Sequence, residues 1–117
     1  MSNYSKINVT GSERHELHDK LGLTGAEVSI NTLPAGAGVP FVHAHKQNEE
    51  IYGIMSGKGQ VVIDGATVEL KAGDWLRIAP EAKRQFSASK DEAMTFICIQ
   101  VKAGSLEGFT MTDVVLC

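Results

Sequence analysis

The stretch GQVVIDGATVELKAGDW, residues 59–75, limits what this chain can fold into more than any other part of it. Asp64-Gly65 supplies the two positive φ angles of a type I′ hairpin turn. On the second run Val68 and Leu70 alternate with Thr67, Glu69 and Lys71, the period of a strand with one buried and one wet face. Short runs of the same kind recur between glycines and polar clusters: AEVSINTL, EIYGIM, DWLRIA, RQFSAS and AMTFICIQV. RQFSAS and AMTFICIQV are expected to pair antiparallel across the turn Lys90-Asp91-Glu92. One helical candidate stands near the N-terminus, where Ser12 can cap a short turn through Glu13 to Lys20 and Gly22 can stop it. The expected architecture is all-β, a small barrel or sandwich with a short N-terminal helical turn.

Composition narrows the function classes. The 117 residues fit one domain, 1–117, with no repeat or linker, and 43% hydrophobic content suits a globular core. Net charge is −3, and Lys83-Arg84 is the only adjacent basic pair, so no nucleic-acid partner is expected. No apolar run is long enough for a membrane span and none follows Met1 as a signal core, so a cytoplasmic protein is expected. Cys98 and Cys117 are read as free thiols.

The chemistry concentrates in PFVHAHKQNEEIYGIMSG, residues 40–57. Residues two apart on a strand point the same way, roughly 6.5–7 Å apart, so His43 and His45 share a face. Residues 46–49 suit a turn, and Glu50 then begins a strand whose carboxylate can meet both imidazoles. Two histidines and a carboxylate form a facial triad for a divalent metal, with iron, zinc, manganese and nickel all compatible. Strand parity places Tyr52 and Ile54 with Glu50, and Phe41 with the histidines, as candidate pocket residues. Tyr52 is the candidate acid/base or substrate hydrogen-bond donor, unless it simply fills the interior. Lys83 shares parity with Gln85 and is expected to face inward, favouring an anionic substrate, unless Lys83 and Arg84 are a solvated pair. Trp75 and Arg77 lie opposite Leu76 and Ile78, so Trp75 is expected to be covered by another segment or subunit. His15 and His18 are one helical turn apart without a closing carboxylate and are expected to be exposed.

The spacing of His43-Ala44-His45, four residues, Glu50, six residues and Gly57 resembles the first motif of the cupin superfamily. Gly38 departs, lying one position closer to His43 than the pattern asks. The hairpin IDGATVELKAGDWLRIAP also resembles the segment between cupin motifs. The second motif is degenerate: Gly73 and Pro80 are present, Ala82 replaces a glycine, Gln85 stands in the histidine position and Ser89 in the asparagine position. The resemblance covers about residues 26–101 and implies a double-stranded β-helix of the jelly-roll type with a metal at its mouth. It implies His43, His45 and Glu50 as ligands, with Gln85 as a weak fourth ligand or a substrate contact. It also favours a homodimer. Two functions stay open: a small-molecule metalloenzyme, dioxygenase-like or isomerase-like, and a non-catalytic small-molecule-binding module.

Overall fold

Asp64 and Gly65 both have positive φ, 49° and 86°, and close the expected hairpin. Its arms are strands β4 (Lys58–Ile63) and β5 (Ala66–Lys71), paired with Val61 opposite Val68. A computed structural model describes residues 3–117 and adds six more strands. They are β1 (His15–Glu16), β2 (Glu27–Leu33), β3 (Asn48–Ser56), β6 (Trp75–Ile78), β7 (Arg84–Ala88) and β8 (Met94–Lys102). A five-stranded antiparallel sheet runs β1-β2-β8-β3-β6, and a three-stranded one runs β5-β4-β7. Among the described residues no helix is long and apolar enough to cross a membrane.

The two sheets close on one core. Ile54, Val61, Ile78, Phe86, Met94 and Phe96 are all buried there, each contributing about 1.5–3 kcal/mol of apolar burial. Tyr52 packs its ring between Phe86, at 4.3 Å between centroids, and Phe96, at 5.7 Å. Gly57 lets β3 turn into β4 against the start of β8. Its φ is 76°, and a Cβ there would lie 1.7 Å from the Ala93 carbonyl oxygen.

Three local expectations change. β7 and β8 do not pair with each other: β7 joins β4, whereas β8 lies between β2 and β3. The polar turn between them carries the chain from one sheet to the other, and Ser89 N–H donates to Lys58 O at that crossing. The N-terminal helix shrinks to α1 (His18–Leu21), because His15 and Glu16 are drawn into β1 opposite Ile30 and Ser29. Glu27 Oε1 accepts the Leu17 and His18 amides in place of Ser12, while Gly22 (φ 68°) ends the turn as expected. His15 is thereby buried rather than exposed, its Nε2 3.3 Å from Gly11 O.

Candidate metal centre

Glu50 lies on the inward face of β3, in register with Ile78 on β6 and Gln100 on β8. The histidine segment is not a strand beside β3. It bridges instead to β7, where His43 N–H donates to Arg84 O and Arg84 N–H returns the bond to His43 O. His45 N–H is held by Pro80 O at 2.8 Å. These anchors aim both imidazoles at Glu50. His45 Nε2 is 3.2 Å from Glu50 Oε2, and His43 Nε2 is 3.8 Å from Oε1. One ligand atom from each of the three residues lies within 4.8 Å of the others.

The carboxylate is held from behind by three donors. Arg84 Nη1 donates to Oε1 at 2.6 Å, Tyr52 Oη donates to the same oxygen at 2.7 Å, and Cys98 Sγ approaches Oε2 at 3.3 Å. Arg84 is wholly buried, and its other donors reach the carbonyls of Ala79, Pro80 and Ala82. A buried charge of this kind survives because it is paired and its remaining N–H groups are satisfied.

Protonation follows the same geometry. Burial pushes Glu50 up, but the hydrogen bonds from Tyr52, Arg84 and Cys98 outweigh it and hold the carboxyl below its ordinary range. Burial lowers His43; Glu50 pulls it back up, while His45, Arg84 and Arg14 add to the lowering. An ionised carboxylate and a neutral imidazole are the forms that bind a metal. Burial, with Cys98 and Glu50 alongside, raises the Tyr52 hydroxyl well above an ordinary phenol, and burial beside Glu50 pushes the Cys98 thiol up to about 12.

The residues present fit a metal ion on one further observation. His43 Nδ1 and His45 Nε2 are buried ring nitrogens without a hydrogen-bond partner among the described residues, His45 Nε2 lying close to Glu50 but outside hydrogen-bonding geometry. Buried nitrogen of this kind is costly unless something binds it. A cation between His45 and Glu50 would satisfy Nε2.

The cluster sits in a cavity of about 430 Å³. Phe41 and Tyr52 line it, Phe41 meeting the His43 ring edge-on at 5.9 Å. Ile54 does not; it is fully buried in the core below. Lys83 and Gln85 also lie elsewhere. Arg84 and Phe86 take the inward positions of β7, so alternation turns Gln85 outward, where its Nε2 donates to Val39 O at 2.8 Å. Lys83 and Gln85 line a separate cavity with Val42, Val62, Asp64 and Gly65.

The centre also contains residues that the sequence reading passed over. Arg84 carried a signal, since it stands two positions from Phe86 on a strand. Cys98 and Gln100 share an inward parity on β8. Arg14 gave no local signal. It reaches the cavity from a distant segment, with Nε 3.0 Å from Glu16 Oε1 and Nη1 donating to Asn31 Oδ1.

Known proteins resemble the chain in sequence and fold. A family model described as a cupin domain matches residues 29–100. The chain is 70% identical to a cupin protein from Bacteroides fragilis with a solved crystal structure. The two superpose with a TM-score of 0.98, over 100% of this chain and 99% of that one. A predicted oxalate decarboxylase from Thermotoga maritima is 25% identical, with a TM-score of 0.58 over 66% of this chain and 64% of that one. An uncharacterised protein from Methanocaldococcus jannaschii is 29% identical over 66 residues, 56% of this chain; the match spans only 52% of that protein's length. With the first-motif residues gathered in one cavity of a two-sheet barrel, the chain belongs to the cupin family.

Proposed function

We propose that this cupin is a metal-dependent enzyme acting on a small anionic or oxygen-rich molecule, in which His43, His45 and Glu50 hold a divalent ion. The observation that carries this reading is the His45 ring nitrogen, buried without a hydrogen-bond partner among the described residues and beside a carboxylate held ionised. Iron, manganese, nickel and zinc all suit this donor set. A bound ion supplies Lewis acidity, or redox chemistry if it is iron. Oxygenation and isomerisation are the reaction classes we assign to it.

The chain's own residues favour an anion. Arg84 balances the charge of Glu50, so a divalent ion held with two neutral imidazoles keeps its own charge uncompensated. Arg14 adds a second cation at the cavity wall, in the role expected of Lys83, and Gln100 adds an amide. Phe41, more than half exposed, lines the cavity edge-on to the His43 ring and offers it an apolar wall. Tyr52 is a positioning residue rather than a proton donor, since its hydroxyl is spent on Glu50 and buried. The oxalate decarboxylase prediction for the Thermotoga maritima relative supports a small carboxylate.

The outward turn of Gln85 favours a second reading, in which the cavity binds a ligand without metal or chemistry. Thermal shifts with a panel of small mono- and dicarboxylates, with metal and with chelator, separate the two. The enzyme reading predicts stabilisation that needs the metal and shrinks in Arg14→Ala, about 2.7 kcal/mol at a ligand concentration 100 times Kd. Equal stabilisation in chelator would favour the binding module.

A further inference from the structure

Gln100 stands between two cavities. It lines the metal cavity with Arg14, Glu50 and Cys98, and it also lines a second cleft of about 360 Å³. The other walls of that cleft include His18, Thr24, Glu27, Asn48 and Lys102.

Strand register explains why the two lie side by side. Gln100 on β8 pairs with Glu50, and Lys102, two residues further along, pairs with Asn48. Residues two apart on a strand share a face, so the second pair lies roughly 6.5–7 Å beyond the carboxylate on the same inner face. Glu27 on β2, opposite Gln100, completes the row. Along β3 and β8 this face is apolar at Ile54 and Phe96, ionic at Glu50, and polar from Gln100 onward.

Backbone bonds fix the cleft on both sides. Ala103 N–H donates to Gln47 O at 3.0 Å, and Leu23 N–H donates to His18 O at 2.9 Å. Asn48 Nδ2 donates to Gln100 Oε1 at 3.3 Å, which occupies the Gln100 oxygen and leaves its NH2 group to donate. The charges of the cleft are not all free. Glu27 Oε1 accepts the amides of Leu17 and His18, and His18 Nδ1 lies 2.8 Å from Asp19 Oδ1. Lys102 is exposed and makes no ion pair among the described residues. A solvated lysine marks nothing by itself. Its place one strand step beyond Glu50, across Gln100, gives it a role.

We propose that the ligand of the metal centre carries a second anionic group, which lies across Gln100 and is bound by Lys102 in the neighbouring cleft. This rests on the anion-binding reading above and adds to it the length and second charge of the ligand. One head group meets the metal ligands and Arg14. The Gln100 NH2 group donates to the ligand as it passes, and Lys102 Nζ meets the far head in a charge-assisted hydrogen bond. The spacing between the two pairs suits a linear diacid about as long as adipate.

Adipate and hexanoate test this, being equal in length and different only in the second carboxylate. Their affinities are measured by thermal shift on wild type and Lys102→Met, each loaded with manganese and each freed of metal by chelation and dialysis. Lys102 is exposed, so the variant folds. Wild type should bind adipate about 10-fold tighter than hexanoate, the gain from one hydrogen bond between charged groups. Lys102→Met should abolish that preference and leave hexanoate affinity unchanged. A wild type without the preference in either metal state overturns the inference, as does one that binds neither acid. A preference that survives in Lys102→Met, as Arg14 alone would produce, overturns it too. A Lys102-dependent preference that is the same without manganese sustains the inference and breaks the metalloenzyme reading instead. Hexanoate binding that needs manganese, with no preference for adipate, does the reverse.

Discussion

Glu50 and Ile51 are neighbours on β3 and live in opposite worlds. The inner face of the five-stranded sheet carries a charged carboxylate with Tyr52 and Cys98, every one of them buried and hydrogen-bonded. The outer face carries Ile51, Ile97, Ile99 and Trp75, open or only half-covered, beside an ion pair between Arg77 and Glu49. Strand alternation builds both surfaces from the same strands, so a polar site and an apolar outer surface occupy one sheet without sharing a side chain. Polar groups are tolerated inside because their bonds are made there, and scattered apolar groups are tolerated outside because no polar group is left unpaired by them.

The largest expected effect breaks the inner network from β7. Arg84→Met leaves Glu50 buried without its cation and should cost about 3–5 kcal/mol in urea unfolding. Gln85→Ala, one residue away on the other face, removes a single bond to Val39 O and should cost about 1 kcal/mol. Equal costs would contradict the assignment of the two faces.

A finer contrast lies within β3. Tyr52→Phe keeps the ring between Phe86 and Phe96 but removes the hydroxyl from Glu50, and should weaken metal binding about 10–100-fold by calorimetric titration. Ile51→Ala should leave that affinity unchanged, because its side chain points away. A loss of affinity at Ile51 would mean the faces are coupled.

The smallest effect concerns the thiols. Cys98 is buried with its pKa pushed up to about 12, while Cys117 is exposed. At mildly alkaline pH, folded protein should show one fast-reacting thiol and release the second only on unfolding. Two equally fast thiols would show that the inner face opens readily.

Much of this was legible because strand periodicity and turn chemistry are local. Asp64-Gly65 needs only its own φ angles, and Gly57 only the close approach of Ala93. His43, His45 and Glu50 were found through spacing, although the histidines bridge to β7 rather than flank β3. Gln85 shows the limit of that method. Counting residues from Gly73 fixed its position in a motif but not its side of the strand, which Phe86 settles by needing the core. Arg84 reads as a surface cation until its partner Glu50, far away in sequence, is brought beside it. Arg14 depends on a long-range approach that no local pattern records.

The central claim is that His43, His45 and Glu50 hold a metal, and elemental mass spectrometry of protein purified without chelator tests it most directly, beside His45→Ala. The account predicts near-stoichiometric divalent metal in the wild type and loss of it in the variant. A wild-type chain that stays empty after anaerobic addition of iron, manganese, nickel and zinc would contradict it, as would a variant that retains the metal.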